Sequence, residues 1–339
     1  VEIVKATYFN PKIVVIDETT TALSQEGREE LYKHMERIRK SGNTVIFISH
    51  DLPEIIEKSD TITILRDGVY IDTVKSKDVN ENDLKKLMVG REVTGDYYRS
   101  DYGEKISDEV VLSAKHVTVP GLIKGEILGF GGLSESGMHE IGKAIFGASY
   151  DREGTVELAD GTQINDIPTA IKHSIAYTSK DRDNESVVLN QSIGDNICLP
   201  SLDELSGPAH LISDKKKKDF ANKFAKQMSV KMVDVNQFVS NLSGGNKQKV
   251  VLARWIGKDS DIVVLDSPTR GIDIKVKQDI YQLMNQMRKN GKSIIMISEE
   301  LMELIGMCDR IMIMKDGKIS GELERDQNLD ENGLITMMV

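Results

Sequence analysis

Two short strings in this chain carry residue types able to do chemistry on phosphate. The first is VVIDE, which closes an apolar, β-branched run with Asp17 and Glu18. A carboxylate at a strand end can hold Mg2+ through water, and its neighbour can orient or deprotonate an attacking water. Thr20 follows closely, and His50 ends the next apolar run, where an imidazole can contact a γ-phosphate as a hydrogen-bonding switch. A bland alternative is that Asp-Glu after a strand merely caps a helix. His50, and the repeat described next, speak against it. The second string is LSGGNKQ, Leu242 to Gln248, ahead of the helical run KVVLARWI. Gly244 and Gly245 let backbone N–H groups approach an anion closely, and Ser243 can donate to it. A helix N-terminus behind them favours negative charge.

Such groups need a strand end, a loop and a helix start to hold them, and the chain offers these twice. KIVVIDETTTAL (Lys12 to Leu23) matches DIVVLDSPTRGI (Asp261 to Ile272), which sets Asp17 against Asp266, 249 positions apart. TVIFISHDL then answers SIIMISEEL, with His50 facing Glu299, and ITILRDG answers IMIMKDG, with Gly68 facing Gly317. Apolar runs ending in Asp read as buried parallel strands. Between them lies a helical stretch, Ser24 to Ser41, with Leu31, Met35 and Ile38 at helical spacing. Strand, helix, strand implies a parallel sheet with crossovers, hence an α/β fold. The expected organisation is a partial first copy (residues 1–91), a polar linker (92–109) and a second copy (110–339).

A chain of 339 residues suits two domains of ordinary size. Its formal charge of −10 and its few aromatics argue against nucleic-acid binding, which calls for basic stripes and stacking platforms. Cys198 and Cys308 have no metal or redox spacing and fit free thiols in a reducing compartment. No run of 18 apolar residues crosses a bilayer, and no signal peptide is evident. KKKK (Lys215 to Lys218) reads as a solvated helix face, and the methionines of IMIMK and LITMMV as core.

LSGGNKQKVVLARW followed by VVLDSPTRGID resembles the signature and Walker B region of ABC ATPases that drive sugar import. The resemblance is to the ribose, galactose and xylose type, which fuses two nucleotide-binding domains in one chain. FISHDLPEIIEKSDTITILRDG and LMVGRE resemble the end of its first domain. KGEILGFGGL and IAYTSKDR resemble stretches of its second. The likeness covers nearly the whole chain. It implies a P-loop NTPase (ABC ATPase) fold, ATP and Mg2+ as cofactors, and Asp17 and Asp266 as metal-side carboxylates. It also places the first copy's P-loop and signature before Val1, so the chain is expected to lack its N-terminal part and to hydrolyse little ATP alone.

The second copy departs from the pattern. A P-loop reads G-x-x-x-x-G-K-[ST], its backbone cradling phosphates, its Lys reaching the β and γ oxygens and its Ser/Thr holding Mg2+. Here Gly132 and Gly137 are present, but Met138 replaces the Lys and His139 the Ser/Thr, and Glu135 brings negative charge into the loop. Ser267 stands where the catalytic Glu belongs and Glu299 where the switch His belongs. The stretch Pro120 to Gly125 is also short, which leads us to expect an abbreviated leading β-structure. ABC domains pair head to tail, so the resemblance implies an internal pseudo-dimer with unequal sites. One joins Asp17, Glu18 and His50 to Ser243, Gly244, Gly245 and Gln248. The other rests on the decayed loop. The implied partners are two membrane permease subunits, docking near Asp181–Pro200, and, indirectly, a periplasmic or lipoprotein sugar-binding protein. The implied location is peripheral, on the cytoplasmic face of the membrane. A soluble tandem ABC ATPase acting on ribosomes or DNA is the alternative, disfavoured by the ruined loop, short linker and negative charge. A degenerate regulatory subunit without ATPase activity is a third, disfavoured by Glu18 and His50.

Overall fold

The computed structural model describes residue 5 and residues 11–17, 19, 23, 25–49, 51–66, 69–81, 83–84, 87, 97–102, 106–115, 119–133, 135–149, 154–207, 210–272, 274–326 and 329–338. The chain divides into two compact units, Val1–Asp96 with Asp273–Lys275, and Tyr97–Ile272 with Val276–Val339.

In the first unit, β1 (Ile13–Asp17) pairs in parallel with β2 (Thr44–Ile48), Ile13 facing Thr44 and Asp17 facing Ile48. The crossover is α1 (Gln25–Lys40), whose Leu31 and Met35 bury Val14 and Ile16. Three cations in its last turn, Arg37, Arg39 and Lys40, complement the helix dipole. Then come α2 (Leu52–Lys58), capped by Asp51, and a hairpin of β3 (Thr61–Arg66) and β4 (Val69–Lys75). The apolar run of β1 is covered on one face only: Val15 is 60% exposed. Among the described residues of this unit, no element lies over that face.

The second unit is built around a six-stranded sheet. Its members are β7 (Ile127–Gly132), β9 (Ile175–Thr178), β10 (Ile262–Asp266), β11 (Ser293–Ile297), β12 (Arg310–Lys315) and β13 (Lys318–Glu324). The order is β13-β12-β7-β11-β10-β9, parallel except for the edge pair β12/β13. Here β7, β10 and β11 are buried along their whole length, as expected of strands covered on both faces. A separate antiparallel sheet joins β5 (Val110–Lys115) to β6 (Val119–Ile123) and β8 (Thr155–Leu158), so a leading β-structure is present despite the short Pro120–Gly125 stretch. Met312 and Met314 are core, and three of the four lysines at 215–218 are exposed while Lys217 pairs with Asp195.

The 249-residue spacing seen in the sequence recurs in the coordinates. β1 and β10, β2 and β11, and β3 and β12 begin and end at corresponding positions, as do the helices α1 and Ile274–Lys289. Side-chain bonding repeats too. In the first unit Glu54 is buried and accepts from Tyr32 Oη and, at 2.7 Å, from Ser49 Oγ. In the second, Glu303 accepts from Tyr281 Oη and, at 2.8 Å, from Ser298 Oγ. A buried carboxylate is tolerable only with its lone pairs satisfied, so both copies retain the same donors.

The segment 92–109, expected to be a solvated linker, is partly packed. Residues 97–102 belong to the second unit. Tyr97 and Tyr98 lie against Tyr281, and Tyr98 fills the space over Gly306. Arg99, buried, donates to Asp101 and Asp309 at 2.7 Å each and to the Met307 carbonyl at 2.8 Å. Composition read this stretch as polar, but its charges are complementary to those beneath it.

Candidate nucleotide site

β7 ends at Gly132 and the following helix, Met138–Ile145, starts at the position where the sequence pattern puts a phosphate loop. Gly137 caps that helix with φ +92°, a left-handed conformation costly for any other residue. At Gly132 an added Cβ would collide with Ser136 Oγ and lie 2.7 Å from the Met314 carbonyl. The Ser136 hydroxyl is buried against Gly132 and, among the described residues, has no hydrogen-bond partner. At Gly132 and Gly137 the backbone thus has a geometry that only glycine fits easily. Met138 is fully buried in the core. His139 is 3% exposed. Its Nδ1 lies 2.7 Å from Asp266 Oδ1, and its Nε2 lies 3.3 Å from Glu299 Oε1.

Burial alone would push the His139 pKa down. The hydrogen bonds to Asp266 and Glu299 outweigh it and raise the value to about 9. Both ring nitrogens face carboxylate oxygens, an arrangement suited to a ring that donates from each. Ser267 Oγ also donates to Asp266 Oδ1 at 3.2 Å, and Tyr177 Oη reaches Asp266 Oδ2 at 3.4 Å. Ser267 itself sits at φ +49° at the end of β10. The second unit thus gathers Gly132, Gly137, His139, Asp266, Ser267 and Glu299 at one end of its parallel sheet. That edge, outside the carboxyl ends of the strands, is where open α/β sheets bind ligands.

The signature string starts the helix α7 (Gly244–Lys258) in the same unit, which follows α3 (Met138–Ile145), α4 (Ile167–Lys172), α5 (Ile193–Cys198) and α6 (Asp214–Gln227) along the chain. Ser243 is its N-cap residue, exposed, and its Oγ accepts from Asn246 Nδ2 at 2.9 Å, which leaves the hydroxyl proton available. Gly244 and Gly245 form the first turn. A Cβ on Gly244 would meet Arg182 Nη2 at 3.1 Å, so the close approach there is real. Gln248, in the next turn of the helix, is buried. Trp255, on the inner side of α7, packs edge-on against Phe146.

Sequence reasoning missed what ties α7 to the segment 181–200. Arg254, buried, donates to the Asn196 carbonyl (2.6 Å), the Ser186 carbonyl (2.7 Å) and Asn196 Oδ1 (3.1 Å), and burial pushes its pKa down to about 10. Lys247 Nζ binds Asp183 Oδ2 at 2.8 Å. One signal was available: an arginine inside the apolar run VVLARWI has to find buried acceptors.

In the first unit, Asp17 is exposed at the C-terminal end of β1. Glu18 and His50, the expected catalytic pair, lie outside the described residues. Among the described residues, no cluster of His, Cys, Asp and Glu has the arrangement of a metal site, and no helix is long and apolar enough to cross a membrane.

Known proteins place this architecture. The ABC transporter family matches residues 120–270. A ribose import ATP-binding protein of Lactococcus lactis is 40% identical over 340 residues, covering 98% of this chain and 68% of that protein. A xylose import ATP-binding protein of Thermoanaerobacter pseudethanolicus is 42% identical over 347 residues, covering 96% and 68%. Among solved structures, the dimeric structure of a bacterial ABC transporter cassette superposes with a TM-score of 0.54 at 22% identity, covering 60% of this chain and 88% of that one, which speaks to the fold. The chain has the fold of an ABC ATPase, a P-loop NTPase. It belongs to the ATP-binding proteins of ABC sugar importers.

Proposed function

We propose that the protein is the ATP-hydrolysing subunit of an ABC importer for a monosaccharide, with one hydrolysing ATP site and one that does not hydrolyse. The observation that carries the asymmetry is the loop of the second unit. Met138 lies in the core where a lysine would reach phosphate, and Ser267 stands where a carboxylate would direct water. The repeat-equivalents of Ser267 and Glu299 are Glu18 and His50, which retain that chemistry.

ABC domains pair head to tail, and the motifs divide accordingly. In our reading Asp17, Glu18 and His50 serve a site completed by the signature Ser243–Gln248, and the two copies form an internal pseudo-dimer. Asp17 fits a water-mediated Mg2+ ligand by position and chemistry, and the ion when bound would neutralise phosphate charge. Glu18 orients the attacking water and accepts its proton. His50 holds the γ-phosphate. Ser243 and the Gly244–Gly245 backbone donate to that phosphate from the other side. Closure on ATP then moves the segment 181–200 with α7, through the Arg254 and Lys247 links. We assign that segment to the docking of two membrane permease subunits, on the cytoplasmic face, with a sugar-binding protein acting on the far side. The names of the relatives, ribose and xylose import proteins, support a pentose or similar monosaccharide as cargo.

The test is reconstitution with the permease subunits in proteoliposomes. ATP hydrolysis is expected to require them and to rise further with sugar-loaded binding protein. Hydrolysis indifferent to the permease, but stimulated by ribosomes or DNA, would overturn the importer reading.

A further inference from the structure

The loop of the second unit has exchanged its ligands in a coordinated way. The pattern G-x-x-x-x-G-K-[ST] brings in a cation from the lysine and a metal ligand from the next residue. Here the lysine position has turned into the core as Met138, and the metal-ligand position carries a ring that is itself a hydrogen-bond donor. Asp266, the carboxylate expected to face the metal, is fully buried and committed. Oδ1 receives His139 Nδ1 at 2.7 Å and Ser267 Oγ at 3.2 Å, and Oδ2 faces Tyr177 Oη at 3.4 Å. A divalent ion held through water needs those lone pairs and the volume of the ring. The residues present do not fit it.

They do fit phosphate. Gly132 and Gly137 are retained, and the buried Ser136 hydroxyl has no partner among the described residues. The two bonds of the His139 ring are unequal. Its contact with Asp266 is short, and that carboxylate is buried. Its contact with Glu299 is 3.3 Å, and the Glu299 side chain is 39% exposed. Glu299 therefore behaves as a displaceable occupant: a carboxylate resting on a donor that an incoming phosphate oxygen can take over. We propose that this loop binds nucleotide as the metal-free polyphosphate, with the His139 ring in place of a divalent ion and its Nε2–H passing from Glu299 to a phosphate oxygen. The inference rests on reading the loop as a nucleotide site, and it predicts a site that is occupied without turnover.

The experiment is NMR of the whole protein with labelled histidine, following His139 (assigned by its loss in His139→Gln) as ATP is added in EDTA and then with Mn2+. The His139 signals are expected to shift with ATP in EDTA, and to stay as sharp as those of His173 and His210 when Mn2+ follows. Glu299→Gln, which weakens the occupant, is expected to tighten metal-free binding about tenfold. If His139→Gln does not fold, the emission of Trp255 reports instead. It is the one tryptophan of the chain and contacts Phe146, which stacks on Tyr177 beside Asp266. Its half-saturation by ATP is expected to be the same with and without Mg2+. Selective broadening of His139 by Mn2+, or a response to ATP only with Mg2+, overturns the proposal. No response of either probe to ATP under any condition removes the loop as a nucleotide site, whereas the importer reading is decided separately by the permease-dependent ATPase.

Discussion

Replacing Arg99 by Met tests whether residues 97–102 are part of the fold of the second unit. The guanidinium is 2% exposed and bridges Asp101 and Asp309 while donating to the Met307 carbonyl. Methionine keeps the apolar stem and removes every charge-assisted bond. Breaking a buried pair by deleting one partner costs about 3–5 kcal/mol, because the remaining charge stays desolvated. Two observations favour the lower end. Asp309 Oδ2 keeps the Ile127 N–H at 2.8 Å, and Asp101 keeps Arg288 at 2.6 Å. We therefore expect a loss of about 3 kcal/mol, or roughly 6–12 °C in Tm for a unit of this size. Urea unfolding followed by Trp255 fluorescence, which reports only the second unit, measures it by the shift in midpoint at constant slope. A pH signature accompanies it. Arg99 holds the Asp101 carboxyl well below the usual carboxylate range, against the opposing effect of burial. A depressed folded pKa contributes stability that is present above the unfolded value, near 4, and lost as pH falls through the folded value. The wild type should therefore lose stability below about pH 4 more steeply than Arg99→Met. A loss under about 1 kcal/mol, with unchanged acid sensitivity, would mean that the segment merely rests on the surface.

Two further substitutions probe the signature helix. Ser243→Arg should abolish ATP hydrolysis and ATP-driven closure, because a bulky cation blocks the close N–H approach that Gly244 and Gly245 permit; wild-type behaviour in both assays would refute the shared site. Arg254→Met should leave ATP hydrolysis largely intact but reduce sugar uptake on the order of tenfold, since it cuts three bonds between α7 and the segment 186–196. Parallel loss of hydrolysis and uptake would show that Arg254 acts only through stability.

The sequence displayed the strands and the crossover helix that the two copies share, because apolar runs ending in Asp and a helical stripe in Leu31 and Met35 are local patterns. It also exposed the altered loop, since Met138, His139, Ser267 and Glu299 stand at motif positions. What it could not display was pairing across the fold. That His139 grips Asp266, 127 residues away, and that Arg99 reaches Asp309, 210 residues away, follows only from the sheet bringing them together. Exposure was also illegible. Val14 and Val15 are chemically alike, yet only Val14 is covered within its unit. Gln248 belongs to the signature string but is buried, because helical geometry turns it inward.

The central claim is the functional inequality of two repeat-equivalent positions, Glu18 and Ser267. Sugar uptake by the complete importer in proteoliposomes, driven by internal ATP, tests it with two variants. Glu18→Gln should reduce uptake by a factor of about 10²–10³, as expected when a group that orients water and takes its proton is removed. Ser267→Ala should leave uptake within about twofold of wild type, since losing a hydroxyl that only supports Asp266 removes no catalytic group. Equal defects in the two variants, or uptake that survives Glu18→Gln, would contradict the account.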